Sequence, residues 1–156
     1  MKLDAGLCGI AGEYFVAAEL SRRGYLASIT LRNSRGVDIL ATNRDATISV
    51  AIQVKTNQRG VAEWILNEKV EKSSRDDSLP ENLFFVFVNL PPNGDPPSYH
   101  IIARHEVARL VKEGHDRWLA TPGRGGKLHS TNNPIRKFKD IKEEYRDRWD
   151  LLGLDQ

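Results

Sequence analysis

Four side chains have the chemistry of a metal-dependent hydrolytic site: Glu13, Asp38, Gln53 and Lys55. Carboxylate and amide oxygens are the hard ligands that Mg²⁺ takes, and a bound Mg²⁺ polarises a phosphoryl oxygen and lowers the pKa of attacking water. An ammonium beside such an ion can stabilise the charge that develops on phosphate oxygens, or help position the water. Glu13, Asp38 and Gln53 are therefore the candidate metal ligands, and Lys55 completes the candidate catalytic set.

Each residue also has an ordinary explanation when taken alone. The positions three and four away from Glu13 in a helix are Gly9, Ile10, Val16 and Ala17, none of them a cation, so a carboxylate on this stripe needs a partner, a metal or water at the stripe's edge. Glu19, by contrast, has Arg22 and Arg23 within helical reach. Asp38 interrupts the apolar run Val37-Asp38-Ile39-Leu40-Ala41, where strands disfavour aspartate, although turn chemistry beside Arg35-Gly36 accounts for it equally. Gln53 and Lys55 are two apart on a strand and project from one face, as any half-exposed strand requires. What gives the set weight is conjunction, because all four belong to one helix and the short meander that follows it.

The elements that must position them are legible from periodicity. Leu7, Ala11, Phe15 and Ala18 mark an amphipathic helix over 5–24, with Asp4 as N-cap and Gly24 as stop. Strands are predicted over 25–31, 37–42 and 47–56, the last alternating Ile48, Val50, Ile52 and Val54 against Ser49, Ala51, Gln53 and Lys55. A weaker helix is predicted over 61–75. The almost wholly apolar 83–90 reads as a strand covered on both faces at the centre of a sheet. A strand over 98–103, a helix over 105–113, an irregular stretch over 121–134 and a short charged helix over 135–149 complete the chain. The fold class is α/β: a helix, a three-stranded meander, a helix, two strands and a helix around a central mixed sheet.

With these residues in place, Gly12-Glu13, Gly36-Val37-Asp38-Ile39-Leu40 and Ile52-Gln53-Val54-Lys55 resemble the motifs of the PD-(D/E)XK nuclease superfamily. The resemblance is to its restriction-endonuclease-like and Holliday-junction-resolvase-like members, with Gln53-Val54-Lys55 in place of (D/E)-x-K and Val37 in place of the motif's proline. It implies a Mg²⁺- or Mn²⁺-dependent endonuclease acting on DNA more readily than RNA, with Asp38 and Gln53 on the metal, Lys55 as catalytic lysine and Glu13 completing the site. A homodimer is a further expectation from the family. The neutral amide at Gln53 keeps open a second reading, a catalytically degenerate nuclease fold that binds nucleic acid or a protein partner as an immunity or accessory subunit.

Composition narrows the rest. One domain is expected at 156 residues, with 1–120 as the nuclease-like part and 121–156 as a basic extension packed on it or flexibly attached. The net charge is only +2, but 121–139 carries Arg124, Lys127, Arg136, Lys137 and Lys139 and no acid. With Arg35, these are the candidate nucleic-acid contacts. Cys8 is the single cysteine, which excludes an internal disulfide, and the lack of a secretory pattern or a long apolar run predicts a cytoplasmic protein. Thr121-Pro122-Gly123-Arg124-Gly125-Gly126-Lys127 lacks phosphate-loop spacing and reads as a linker. The histidines, His100, His105, His115 and His129, lack zinc spacing and read as surface or helix-start residues.

Overall fold

A computed structural model describes residues 2–31, 36–72 and 81–155. Helix α1 spans Ala5–Arg22; Asp4 caps it, its Oδ1 accepting the N–H of Leu7 at 3.0 Å. Glu19 near its end pairs with both Arg22 and Arg23. Gly24, at φ +89°, then turns the chain out of the helix, a conformation that glycine adopts without steric cost. The meander follows as β1 (Leu26–Ile29), β2 (Ile39–Thr42) and β3 (Ser49–Asn57), antiparallel throughout. The β2–β3 turn is fixed by Asn43, whose side-chain oxygen accepts the N–H groups of Thr47 and Ile48.

Strand β5 (Leu83–Asn89) lies parallel to β3, and β6 (Ser98–Ala103) runs antiparallel to β5, giving a five-stranded mixed sheet in the order β1-β2-β3-β5-β6. The apolar run of β5 is thus an interior strand, as its composition predicts. Alternation along the interior strands feeds two cores. Val50, Ile52, Val54, Val86 and Val88 meet Val16 and Leu20 of α1 on one face, together with Trp149, Leu152 and Leu154 from the end of the chain. On the other face Phe85 and Phe87 meet Val107 and Val111 of α3 (Arg104–Ala120) and a cluster around Trp64 and Phe138.

That cluster corrects the sequence reading twice. Within the segment predicted as a helix over 61–75, the described residues form strand β4 (Glu63–Asn67) and then helix α2 (Lys69–Lys72), and 73–75 lie outside the described residues. The segment predicted as a helix over 135–149 begins as strand β7 (Ile135–Lys139), which pairs antiparallel with β4; turns and a 3₁₀ helix at Trp149–Leu152 follow. Both strands alternate with period two: Trp64 and Leu66 face inward with Arg136 and Phe138, while Ile65, Lys137 and Lys139 face outward. Helix α3 is also longer than the predicted 105–113.

The histidine reading needs a correction as well. His100 is buried within β6, and its Nδ1 lies 2.6 Å from Oδ2 of Asp140, whose carboxylate also accepts the N–H groups of Glu144 and Tyr145. A buried carboxylate is tolerated when it is satisfied in this way. The pair fastens the stretch after β7 to the main sheet.

Candidate active site

Strand β2 does not end on a regular ladder pair. Ile39 is the register partner of Ile52, yet the N–H of Asp38 also bonds the Ile52 carbonyl, at 2.8 Å. Two residues thus stand against one, the count of a β-bulge, which breaks the ladder and re-aims the side chain at the break. Here the re-aimed group is a carboxylate. Asp38 Oδ2 accepts the N–H of Val54 at 2.7 Å, taking the main-chain donor that a continued β2 would have used. The Val37 carbonyl, displaced from that donor, accepts the Thr30 hydroxyl instead.

The Asp38 carboxylate is therefore held against β3 at Val54, between the Cα positions of Gln53 and Lys55. Its other oxygen, Oδ1, has no hydrogen-bond partner among the described residues. Gln53 and Lys55 are half-buried, and register pairs them with Phe85 and Phe87, which places both on the α3 side of the sheet. Gly36, at φ +65°, lies close by: a Cβ there would stand 3.9 Å from Gln53 Nε2. Asp38, Gln53 and Lys55 are thus brought to one stretch of strand edge.

Glu13 approaches from the other side. It is half-buried and follows Gly12, where α1 and β3 approach so closely that a Cβ would fall 1.8 Å from Thr56 Oγ1. Val54 and Thr56 face α1, whereas Gln53 and Lys55 alternate onto the opposite face. Glu13 thus belongs to the helix on one face of β3, and Gln53 and Lys55 project from the other. Among the described residues no group of three or more His, Cys, Asp or Glu is assembled.

A cavity of about 340 Å³ opens at this same end of β3, between the start of α1 and β4. Lys55 lines it with Lys2, Cys8, Arg59, Glu63 and Ile65. Burial pushes the Cys8 thiol up, away from a reactive thiolate. Glu63 pairs with Lys139 and Lys137, both at 3.0 Å, and these ammonium groups, Lys139 first, hold its carboxyl below the usual range. None of Lys2, Arg59 or Glu63 carries a motif, and only the pairing of β4 with β7 brings Lys137 and Lys139 beside Glu63.

The candidate nucleic-acid contacts divide. Lys137 and Lys139 are exposed on the outer face of β7, and Arg124 and Lys127 are exposed around a 3₁₀ turn at Arg124–Gly126. Arg136 is a correction: it is buried, and its guanidinium donates to Glu71 and to the carbonyls of Asn133 and Ile135, so it serves the fold. Arg35 lies outside the described residues.

This architecture is shared with solved nucleases. Hjc, a Holliday junction resolvase from Archaeoglobus fulgidus, superposes with a TM-score of 0.51 at 13% identity, over 93% of this chain and 95% of that one. The bacterial homing endonuclease I-Ssp6803I gives 0.51 at 14% identity, over 97% and 92%. The fold is restriction-endonuclease-like. D212, a nuclease from a fusselovirus, is more distant, with a TM-score of 0.44 at 11% identity over 91% and 87%. At such identities the fold is what is shared. No family model matches the sequence, and no curated protein matches it significantly. Among the described residues no helix of this restriction-endonuclease-like chain is long and apolar enough to cross a membrane.

Proposed function

We propose that this chain is a metal-dependent nuclease that hydrolyses phosphodiester bonds, in DNA more readily than in RNA. The observation that carries the reading is the bulge at Asp38, which clamps one carboxylate oxygen on Val54 N–H and turns the group toward the strand that bears Gln53 and Lys55. A bulge that only ended β2 would not require an acid there. Hard oxygen donors from Asp38, Gln53 and Glu13 suit Mg²⁺ or Mn²⁺, with Asp38 and Gln53 as the inner pair and Glu13 as the third donor. When bound, such an ion supplies Lewis-acid polarisation of the phosphoryl oxygen and a more acidic attacking water.

The chain's own groups do the rest. The Val54 N–H fixes the rotamer of Asp38, so its free oxygen is pre-set rather than ordered when substrate arrives. Lys55, two residues along the same strand, lines the cavity, and its ammonium would stabilise charge developing on the scissile phosphate. Gln53 contributes an oxygen without charge, which weakens metal binding relative to an acid at that position. That same neutrality favours the second reading, a nuclease fold that binds nucleic acid or a protein partner without cutting.

The deciding experiment incubates purified protein with plasmid DNA and with structured RNA in Mg²⁺, Mn²⁺ or EDTA, alongside Lys55→Ala. Cleavage that needs metal and falls by roughly a hundredfold or more in Lys55→Ala is expected. Equal cleavage by Lys55→Ala identifies a contaminant and defeats the reading, and binding without cleavage in either metal establishes the second one.

A further inference from the structure

The cavity beside Lys55 is lined also by Lys2 and Arg59, and its lining acid Glu63 brings two further cations, Lys137 and Lys139, from a third part of the chain. Lys2 precedes α1, and its neighbour Leu3 is fastened to Gln58 by two reciprocal hydrogen bonds, Leu3 N to Oε1 at 2.9 Å and Nε2 to Leu3 O at 3.0 Å. Arg59 follows β3 on a loop that is held just as firmly. Asn57 accepts the Arg59 N–H and donates to the carbonyls of Val61 and Glu63, while Gly60 N–H bonds Asn89. Lys137 and Lys139 come from the outer face of β7. Both Lys2 and Arg59 are exposed. Among the described residues the one acid lining the cavity is Glu63, and its two carboxylate oxygens pair with Lys137 and Lys139.

Three cations on the lining and two more paired to its acid make a charge set suited to a polyanion. The set includes Lys55, where the proposed chemistry would occur, so the polyanion it suits is a sugar-phosphate backbone rather than an acidic peptide. We infer that Lys2 and Arg59, with Lys137 and Lys139 of the β4–β7 ribbon, carry the phosphates flanking the scissile one past Lys55. Glu63 holds the two ribbon lysines in the free protein and gives them up to phosphate on binding. This inference rests on the nuclease reading for its starting point. Glu63 acts through the lysines and does not touch the reacting atoms.

A surface pair such as Glu63–Lys139 is worth little in water, so exchanging it for a phosphate is cheap and releases condensed counterions from the nucleic acid. Neutralising one phosphate contributes about 0.9 to the slope of log affinity against log salt on duplex DNA. Glu63 lowers the net positive charge of the set without abolishing it, which restrains non-specific binding.

The test is binding of a short fluorescein-labelled DNA duplex by the full chain across a salt titration in EDTA, where metal-dependent cleavage is silent. Lys2→Ala/Arg59→Ala should lower the salt slope by about 2 and weaken binding. Glu63→Gln should tighten binding several-fold. Arg22→Ala, at the opposite end of α1 some 27 Å away for an 18-residue helix, should leave both unchanged. Thermal melts confirm that each variant is folded, and if the double variant is not, Arg59→Gln alone should lower the slope by about 1. A slope unchanged by loss of Lys2 and Arg59, or by loss of Arg59 in the fallback, overturns the proposal even if the protein cuts DNA. So does Glu63→Gln binding that is unchanged or weaker. The expected slopes in a protein that never cuts would leave the phosphate contacts standing and remove the nuclease reading instead.

Discussion

The carboxylate of Asp38 accepts the main-chain N–H of Val54 at 2.7 Å, one residue after Gln53 and one before Lys55. A side chain here replaces a ladder bond and, in doing so, fixes its own orientation. The bond makes a structural demand and a chemical one on the same residue, and substitution can separate them.

Asp38→Asn keeps an oxygen able to accept from Val54 but removes the charge, so stability should stay within about 1 kcal/mol while metal binding is lost. Asp38→Ala leaves the Val54 donor unpaired, which costs about 1–3 kcal/mol for a group out of water. Urea denaturation of both proteins without metal checks the order. Equal destabilisation by the two substitutions would show that the bond does not hold the bulge.

Gly12 gives the second prediction. Glycine inside a helix costs about 1 kcal/mol relative to alanine, so Gly12→Ala on an open face would stabilise α1. Here the added Cβ meets Thr56 Oγ1 at 1.8 Å. The substitution should therefore destabilise by about 1–3 kcal/mol, as overpacking does, and lift α1, with Glu13 on it, away from β3. Thr56 Oγ1 is buried with no hydrogen-bond partner among the described residues, so Thr56→Ala should recover part of the loss in the double variant. A double-mutant cycle by thermal melt measures this coupling, and strict additivity would contradict the contact.

Alkaline stability depends on Tyr25. Its hydroxyl donates to Asp155 at 2.5 Å, and burial first, then Asp155, pushes the phenol up to about 12 from an ordinary value of 10. A raised folded value means the contribution is whole below pH 10 and is lost as pH rises through 12. Tyr99, raised to about 12 by burial first and then by Glu19 and Asp147, adds to the same window. Tyr25→Phe should lower stability at neutral pH by about 1–3 kcal/mol, since the bond is to a carboxylate, and flatten the curve between pH 10 and 12. Chemical denaturation across that range reads both effects.

The parts legible in the sequence were those whose stabilising neighbours are close along the chain. Asp4 announces α1, and the period-two pattern of Ile48 to Lys55 announces β3, because a cap and a half-covered strand leave local patterns. The β4–β7 ribbon left no such pattern. Its strands are some seventy positions apart, Arg136 occupies an inward position that a binary reading expects to be apolar, and Ile65 occupies an outward one. The motif residues Asp38, Gln53 and Lys55 could be named from spacing. The bulge that aims Asp38 could not, since it arises from hydrogen bonds to Ile52 and Val54 that no spacing encodes. The cations in and beside the cavity were illegible for the same reason: Lys2 and Arg59 meet on its lining, and Lys139 reaches Glu63, only after folding.

The most direct measurement is a calorimetric Mn²⁺ titration of the unmodified protein beside Gln53→Glu and Asp38→Asn. If one ion is held by Asp38, the residue-53 oxygen and Glu13, restoring an acid should tighten binding by roughly tenfold or more through added ligand charge, and Asp38→Asn should abolish the binding heat. An affinity indifferent to both substitutions would contradict the account, because the ion would then be bound elsewhere or not at all.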